Sequence, residues 1–284
     1  MNSCRLCNGK DIVVIHKGTR DRTDVDVLRC DRCGLVFLSR IMTDDKFYIA
    51  SQMHEGIDFQ TWRENTAVDD IRRFLKYKSL MQDKVILDFG CGNGKFLELS
   101  KEQSNSKQTI GIELDKEAVK CLKDVGLECY ESTEELPEVN FDLVFMFHVI
   151  EHLSEPEMVL ESLFRHVAKN GRIIIETPNA DDALLSIYNC EKFADFTYWS
   201  PHIYLYNEDT LTKMLENAGF TIIEREQEQR YPLANHLRWL AKGLPGGGIK
   251  EFQELNDQKL NRAYAEVLKE LKACDTLVFT IIRE

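Results

Sequence analysis

The sequence predicts an α/β fold, an open doubly wound sheet preceded by a small cysteine-rich segment. Strand-like and helix-like segments alternate from about residue 84 to residue 226, which is typical of a mainly parallel sheet with helices on both faces. A glycine turn at residues 88–94 joins the first of these strands to the first helix. Two Cys-x-x-Cys pairs lie ahead of the alternating region. Together these observations predict one large domain and one small one.

The composition limits the classes of partner. The chain has 284 residues and a formal net charge of −12, and so acidic a protein is a poor generic binder of nucleic acids or anionic membranes. No run of apolar residues is long enough for a membrane span, so none is expected. No secretory signal is evident, and we therefore predict a cytoplasmic protein with reduced thiols.

The glycine turn is the most informative feature. Residues 85–94 read Val-Ile-Leu-Asp-Phe-Gly-Cys-Gly-Asn-Gly, an apolar strand followed by an acid and three alternating glycines. Glycine is needed where the backbone takes a positive φ and where a Cβ would block a ligand. The third glycine comes one residue earlier than in the dinucleotide fingerprint. The pattern Asp88-x-Gly90-x-Gly92-x-Gly94 resembles motif I of the class I S-adenosylmethionine (SAM) methyltransferases. A carboxylate such as Asp88 suits the ammonium group of SAM.

Two further strand ends fit the same resemblance. Residues 109–113 read as the second strand and end in Glu113, 19 residues after Gly94. A carboxylate there is placed to accept hydrogen bonds from ribose hydroxyls, and a solvated surface glutamate is the alternative. Residues 127–130 read as the third strand. Glu131 and Ser132 follow it, where class I methyltransferases contact the adenine, although either residue is equally suited to begin a helix.

The fourth strand leads into a group of polar residues. Residues 141–147 form a continuous apolar run with one acid, as in a strand buried on both faces. The segment that follows, His148-Val-Ile-Glu151-His152-Leu, resembles the fourth-strand motif of the family's small-molecule branch. An imidazole of near-neutral pKa suits deprotonation of a hydroxyl or amine, so His152 is the predicted general base. Glu151 and His148 are second choices, as bases or orienting groups, and a packed histidine is the alternative for His148.

The remaining strands complete a Rossmann-like sheet of seven. Residues 171–179, 220–223 and 276–282 read as strands five to seven, and residues 207–219 as an amphipathic helix. Residues 193–206, ahead of that helix, are rich in aromatic side chains. The subgroup resemblance implies that His202 in this segment faces the substrate, and an aromatic minicore is the alternative.

The resemblance, carried over residue by residue, implies two sets of site residues. The predicted cofactor-binding residues are Asp88, Gly90, Cys91, Gly92, Gly94, Glu113, Leu114, Glu131, Ser132, Phe147 and His148. The predicted catalytic residues are His152, His148, Glu151 and His202.

The cysteines near the start of the chain predict a metal site. Cys4-x-x-Cys7 and Cys30-x-x-Cys33 are separated by 22 residues, and two such pairs supply four thiolates to one tetrahedral Zn²⁺. Disulfides or unrelated thiols are the alternatives. Four cysteines leave no open position for water, so we expect the zinc to be structural. The arrangement resembles the zinc-ribbon front end of a methyltransferase subgroup that includes nucleotide-sugar C-methyltransferases. Those enzymes carry a further C-terminal domain, and we do not expect 284 residues to hold a full one.

We therefore predict a zinc-ribbon domain at residues 1–45 and a SAM-dependent methyltransferase domain at 46–284, with a helical insertion at about 231–274. A charged helix at 252–272 is a candidate lid or homodimer contact. Two sets of basic residues stand out. One lies on a helix predicted at residues 64–81, whose charged face we expect to be solvated. The other is a candidate phosphate-binding set. That set is Arg20, Arg22, Arg230 and Arg238.

The predicted reaction is methyl transfer from SAM to a small polar acceptor. By subgroup resemblance the acceptor is a nucleotide-activated sugar or another intermediate of surface-polysaccharide or natural-product assembly. O-methylation is favoured, with N- and C-methylation open. Three alternatives remain open. They are an NAD-dependent oxidoreductase, an RNA methyltransferase whose zinc ribbon contacts RNA, and a non-catalytic partner-binding module.

Overall fold

The computed structural model describes residues 3–50, 56–246 and 250–283. They form two compact units. The first, here called the cysteine unit, comprises the described residues up to 42 together with residues 151–154 and 176–279. The second, the glycine-turn unit, comprises the described residues among 43–150, 155–175 and 280–284.

The strands in chain order are β1 (Ile12–His16), β2 (Val27–Cys30), β3 (Val36–Leu38), β4 (Val85–Phe89), β5 (Gln108–Ile112), β6 (Cys129–Tyr130), β7 (Phe141–Phe147), β8 (Val167–Pro178), β9 (Tyr204–Leu205), β10 (Thr221–Glu228) and β11 (Thr276–Ile282). The α-helices are α1 (Asp45–Ile49), α2 (Phe59–Tyr77), α3 (Lys95–Gln103), α4 (Lys116–Asp124), α5 (Pro156–Phe164), α6 (Ala183–Ser186), α7 (Glu191–Thr197), α8 (Glu208–Asn217), α9 (Leu233–Lys242) and α10 (Gln258–Glu270). Short 3₁₀ turns lie at Lys78–Leu80, Thr133–Glu135, Ile150–His152 and Lys250–Leu255.

The larger sheet has seven strands in the order β10-β11-β8-β7-β4-β5-β6. β4 pairs in parallel with β5 and with β7, and β5 pairs in parallel with β6. The predicted Rossmann-like α/β sheet of seven strands is thus confirmed. Parallel pairing also brings the carboxyl ends of β4, β5, β6 and β7 to one edge of the sheet, where ligands bind in such folds.

Aromatic packing fixes two helices of the glycine-turn unit against β7. Phe145 is fully buried. Its ring centroid lies 5.2 Å from that of Tyr77 in α2 and 5.0 Å from that of Phe96 in α3. The Tyr77 contact is tilted and the Phe96 contact is edge-to-face, and aromatic pairs of this kind add to the gain from burying the rings. The helix that follows the glycine turn is therefore held in place by the strand that precedes His148.

Helix caps explain why two helices begin at residues other than the predicted ones. The helix predicted at residues 64–81 runs over Phe59–Tyr77, because Asp58 caps it by accepting from the Thr61 N–H. The helix predicted at 252–272 begins only at Gln258, since Asp257 caps it by accepting from the Leu260 N–H. Acidic N-caps satisfy N–H groups that the first helical turn leaves unpaired. Asp58 lies ahead of its predicted helix and Asp257 lies inside the other one. Apolar periodicity alone does not mark where a helix begins in these charged stretches.

The smaller sheet, in the cysteine unit, has the order β1-β2-β3-β9. β1 pairs with β2 and β2 with β3, all antiparallel. β3 also pairs with β9, so that Phe37 lies opposite Tyr204 and Val36 opposite Leu205. The cysteine-rich segment thus completes its sheet with a strand from the aromatic segment 193–206. No helix within the described ranges is long and apolar enough to cross a membrane.

Candidate functional site

The glycine turn follows β4 directly and requires its glycines. Gly90 has a φ of +75°, and a Cβ built on it would lie 2.4 Å from Cγ2 of Val149. The N–H groups of Gly90 and Cys91 donate to the Ile112 carbonyl at 2.8 and 2.9 Å. Gly92 and Gly94 also have positive φ. The turn is therefore held tightly against the end of β5 in a conformation that side chains would strain.

Glu113, just after β5, is fixed by backbone donors. Its Oε2 accepts from the Gly92 N–H at 2.8 Å and its Oε1 from the Asp115 N–H at 2.9 Å. Burial raises the pKa of this carboxyl, and the two N–H donors partly oppose the rise. A carboxylate offers about four lone-pair sites, so about two remain for hydroxyl donors. The structure thus joins the glycine turn and the second predicted acid through one hydrogen bond.

Asp88 belongs to a set of buried acids that we call the acidic group, Asp70, Asp88 and Glu113. Burial raises the pKa of Asp88 to about 8. Within that net value, the negative charges of Asp70 and Glu113 add to the rise and the Arg73 guanidinium acts against it. Neighbouring acids in a site of low dielectric make the charged form costly. A cationic ligand would therefore be stabilised beside Asp88.

The other predicted cofactor residues lie after the neighbouring strands. The Cys91 thiol packs 3.7 Å from the Cys129 thiol, and Leu114 follows Glu113 at the end of β5. Glu131 and Ser132 follow β6, and Ser132 is the N-cap of the short turn Thr133–Glu135. Glu131 forms an exposed ion pair with Lys116 at 3.6 Å.

Phe147 and His148 end the central strand β7. Phe147 is buried, and His148 has a φ of +54°. A positive φ is uncommon for a residue with a Cβ and is found at functional turns. The structure thus brings Asp88, the glycine turn, Glu113 and Phe147 to one edge of the sheet in the glycine-turn unit.

Two residues beside the acidic group were not predicted. Arg73, interpreted from sequence as part of a solvated face, is 8% exposed. It forms an ion pair with Asp70 at 3.1 Å, and its guanidinium lies 4.8 Å from the centre of the Phe147 ring. Trp62 lies against the turn, where a Cβ on Gly92 would meet its ring at 3.1 Å. Helical spacing does not single out Arg73 in the sequence, because it lies on a charged stretch with Asp70 one turn before it.

A second set of side chains lies in the cysteine unit, and we call Glu151, His152 and His202 the histidine group. The His152 and His202 ring centroids are 4.9 Å apart. His152 Nδ1 lies 3.0 Å from the Pro201 carbonyl oxygen. Because a carbonyl only accepts, Nδ1 carries a proton, and in the neutral ring Nε2 then keeps a lone pair.

The carboxylate of the histidine group is deeply buried. Glu151 is 1% exposed, and its Oε2 accepts from the Thr177 hydroxyl at 2.9 Å. The three residues offer ligand or acceptor atoms that lie within 4.8 Å of one another. The structure therefore brings together three of the four predicted catalytic residues. Thr177 and Pro201, which orient them, were not predicted.

An aromatic wall adjoins the histidine group. The Trp199 ring centroid lies 5.5 Å from that of His202. The Arg20 guanidinium stacks on this tryptophan at 4.3 Å and on Phe196 at 5.1 Å. The other predicted cations bond to acceptors of the protein itself, namely Arg22 to Asp24, Arg230 to Asp275 and Arg238 to the Gly246 carbonyl. Of the four candidate arginines, Arg20 is thus the one placed on rings beside the histidine group.

The four predicted cysteines converge as expected for a tetrahedral cation. The Cys4 and Cys33 sulfurs are 3.6 Å apart, and those of Cys7 and Cys30 are 3.5 Å apart. All four lie within 4.8 Å of one another. Zn–S bonds of about 2.3 Å in a tetrahedron place sulfurs about 3.8 Å apart. The backbone N–H of Gly9 also donates to the Cys7 sulfur at 3.4 Å. The donor set and its spacing fit zinc.

The first cysteine pair contacts the loop that carries His152. Arg5 lies between Cys4 and Cys7, and its guanidinium donates to the Ser154 carbonyl. It also donates to the Tyr204 hydroxyl at 3.2 Å. The cysteine cluster and the histidine group are therefore linked through one arginine.

Known proteins resemble this chain over its larger part. A family model described as a methyltransferase domain matches residues 59–225, more than half of the chain. An uncharacterised methyltransferase of Schizosaccharomyces pombe is 25% identical over an alignment 183 residues long, which covers 57% of this chain and 68% of the relative. A tRNA U34 carboxymethyltransferase of Campylobacter jejuni is 27% identical over 59% of this chain and 64% of its own length. The ubiquinone biosynthesis O-methyltransferase of Candida albicans is 26% identical over 49% of this chain and 45% of its own.

A solved structure shares the fold. The structure of a SAM-dependent methyltransferase from Archaeoglobus fulgidus covers 78% of this chain and 95% of its own, with a TM-score of 0.50 and 23% sequence identity. At that identity the likeness concerns the fold alone. The chain spans less than two thirds of the tRNA- and ubiquinone-related relatives, 64% and 45% of their lengths.

Proposed function

Because this chain belongs to the methyltransferase-domain family and is a SAM-dependent methyltransferase, we propose that it methylates a hydroxyl oxygen of a small polar acceptor. The observation that carries the choice of oxygen is His152. Its Nδ1–H is committed to the Pro201 carbonyl, which leaves Nε2 able to accept a proton. Hydroxyl methylation needs such a base, placed within hydrogen-bond reach of the acceptor.

The acidic group and the glycine turn are proposed to hold SAM. Asp88, whose pKa is raised among Asp70 and Glu113, suits the positively charged amino-acid end of SAM. Glu113 keeps lone pairs for ribose hydroxyls after accepting two backbone bonds. The glycine turn gives access to the backbone, and Cys91, Leu114 and Phe147 stay predicted cofactor contacts. Glu131 and Ser132 stay predicted adenine contacts. Bound SAM supplies an electrophilic methyl group on a sulfonium.

The histidine group is proposed to receive the acceptor. His152 Nε2 takes the hydroxyl proton as the oxygen becomes nucleophilic, and Glu151 and His202 orient the acceptor. His148, whose φ is positive at the end of β7, stays a predicted base or orienting group. The buried Glu151 carboxylate also stabilises the imidazolium that forms at the neighbouring His152.

The proposed acceptor carries an anionic or aromatic part that Arg20 and Trp199 recognise. A guanidinium already stacked on two rings is pre-organised for phosphate or carboxylate. A nucleotide-activated sugar, or another phosphorylated intermediate of polysaccharide or natural-product assembly, has this chemistry. The O-methyltransferase named for ubiquinone biosynthesis among the relatives supports oxygen as the methylated atom.

The four cysteines are proposed to hold one structural zinc. About forty residues bury little apolar surface, so a metal stands in for a core in such a segment. The boundary near residue 45, the helical insertion at about 231–274 and a homodimer stay predictions.

A tRNA acceptor is the second candidate, because one relative is a tRNA U34 carboxymethyltransferase. The net charge of −12 disfavours it, since RNA binding relies on cationic contacts with phosphates. Binding of tRNA that weakens steeply with added salt would favour this candidate over a small acceptor.

The test of the proposed function begins with titration of the protein with SAM, with NAD⁺ in parallel. Micromolar SAM binding that Asp88→Ala and Glu113→Ala weaken is the expected result. Acceptor screening then uses sugar nucleotides and phenols with labelled SAM. Turnover that His152→Ala abolishes without changing SAM affinity supports the base, whereas unchanged turnover in that variant contradicts it.

A further inference from the structure

The histidine group offers ligands for a metal site that is separate from the four cysteines. Glu151, His152 and His202 supply one carboxylate and two imidazoles, with ligand atoms within 4.8 Å of one another. Bonds of about 2.1 Å to a tetrahedral cation place such atoms about 3.4 Å apart. Small side-chain rotations therefore close the group on an ion.

The hydrogen bond of His152 prepares it as a ligand. Its Nδ1–H donates to the Pro201 carbonyl at 3.0 Å. Histidines that bind metals donate their second ring N–H in this way, which fixes the tautomer and the ring orientation. The Nε2 lone pair of His152 is thus oriented before any ion binds.

The carboxylate is buried and oriented as well. Glu151 is 1% exposed and accepts from the Thr177 hydroxyl at 2.9 Å. Ligating carboxylates are commonly held by such hydrogen bonds. Burial of a carboxylate is costly unless a positive charge accompanies it. A dication bound by Glu151 and the two imidazoles would be one such charge.

We propose that Glu151, His152 and His202 bind one divalent transition-metal cation. Two imidazoles and a carboxylate suit Mn²⁺, Fe²⁺ or Zn²⁺, whereas Mg²⁺ and Ca²⁺ prefer sets made of oxygen. Three protein ligands leave at least one coordination position for an oxygen of the acceptor. With the cation bound, His152 would be a ligand and not the base. The cation would then lower the pKa of a coordinated acceptor hydroxyl, and the released proton would pass to water.

The experiment titrates the zinc-loaded 284-residue chain with Mn²⁺ and follows free Mn²⁺ by electron paramagnetic resonance. Mn²⁺ is a weak competitor for four thiolates, so the zinc of the cysteine cluster is not displaced. One Mn²⁺ per chain is expected, displaced by added Zn²⁺ and not by Mg²⁺. Changing an outer contact of a metal site already costs about 10–100-fold in affinity, so His202→Gln and Glu151→Gln are each expected to cost at least about tenfold.

The matched control is His16→Gln. His16 Nε2 pairs with Asp195 at 3.1 Å elsewhere in the cysteine unit, so this variant removes an imidazole beside a carboxylate without touching the histidine group. No Mn²⁺ binding by the unaltered protein, or equal losses in His16→Gln and His202→Gln, overturns the proposal. Cation binding is measured without SAM or acceptor. SAM titration of the same samples therefore shows separately whether the cofactor assignment stands.

Discussion

The acidic group and the histidine group are assembled from different kinds of contact. Asp88 and Glu113 stand at the ends of neighbouring parallel strands, and the bond from Gly92 to Glu113 spans 21 residues. His152 is instead held by a loop carbonyl, Pro201, at a separation of 49 residues. Sheet register thus supports the first group, and loop contacts support the second.

This difference predicts that the two groups fail separately. The acidic group depends on β4, β5 and the glycines between them. The histidine group depends on Pro201, Thr177 and, through Ser154, on Arg5 beside the cysteines. Changes in the cysteine cluster should therefore affect acceptor or cation binding and spare SAM binding, and changes in the glycine turn should do the reverse.

Loss of zinc is expected to separate the groups most strongly. Cys30→Ser should release zinc and disorder β1–β3, because a structural zinc supplies about 10–16 kcal/mol in small domains. Arg5 would then no longer be held at Ser154, so Mn²⁺ binding at the histidine group is lost while SAM affinity is retained. Metal analysis and SAM titration measure both effects.

Cys121→Ser is the control for that substitution, since Cys121 lies in α4 of the glycine-turn unit and is half-buried. It should leave the zinc content unchanged. Unchanged zinc in Cys30→Ser would defeat the zinc assignment. Loss of SAM binding together with zinc would show that the two groups are not separable.

A side chain at Gly90 should give the converse result. Gly90→Ala places a methyl group 2.4 Å from Val149 Cγ2 at a φ of +75°. Strain and overpacking together are expected to cost about 2–4 kcal/mol and to weaken SAM binding, with Mn²⁺ binding unchanged. Urea unfolding and the two titrations measure these effects.

Gly126→Ala is the matched control, because its φ is +81° and nothing lies within 4 Å of its added Cβ. It carries the backbone strain of about 1–2 kcal/mol without the clash. The double variant Gly90→Ala, Val149→Ala should recover part of the loss. Equal costs at Gly90 and Gly126 would mean that the close approach of Val149 is unimportant.

The same contrast explains which parts the sequence predicted. The central strands β4, β5, β7 and β11 each show a local apolar run, and the spacing of Gly90, Gly92 and Gly94 is read within one turn. Glu113 follows from its distance along the chain, because a strand and a helix of ordinary length separate it from the turn. The four cysteines are equally local, as two pairs whose spacing defines the metal site.

The features that the sequence does not predict depend on contacts between residues that are distant along the chain. Arg73 reads as one more charge on a helix, and only the packed fold places it over Phe147. Pro201 and Thr177 have no motif, since their roles come from a carbonyl and a hydroxyl that meet the histidine group. The pairing of β3 with β9 likewise joins segments that no periodicity connects.

SAM affinity should depend on pH through the titration of Asp88 in the acidic group. Burial raises the pKa of Asp88 from 3.8 to about 8. In the protein without SAM, Asp88 therefore contributes fully to the free energy of unfolding below about pH 4, and this contribution is lost as the pH rises through about 8. The ammonium of SAM needs the ionised carboxylate, so SAM affinity should increase by up to about tenfold per pH unit between pH 6 and 8.

Asp88→Asn should bind SAM more weakly and without this slope, and calorimetric titration at several pH values measures the difference. SAM itself titrates identically in both proteins, so the difference between the slopes belongs to Asp88. Asp124→Asn, at an exposed position at the end of α4, should keep the slope. An unchanged slope in Asp88→Asn would remove Asp88 from the cofactor site.

The smallest expected effect comes from Arg5, which isolates the link between the cysteines and the histidine group. Arg5→Met keeps the length of the side chain and removes its donors to the Ser154 carbonyl and the Tyr204 hydroxyl. Hydrogen bonds of charged donors contribute about 1.5–3 kcal/mol, less where solvent replaces them. We therefore expect Mn²⁺ affinity to fall by about tenfold or less, with zinc content and SAM affinity unchanged. Arg22→Met, which breaks only the exposed pair with Asp24, should change neither affinity, since exposed ion pairs contribute little. A fall in SAM affinity in Arg5→Met that equals the fall in Mn²⁺ affinity would mean that the arginine supports both groups, and the separation argued from sheet register and loop contacts would then be wrong.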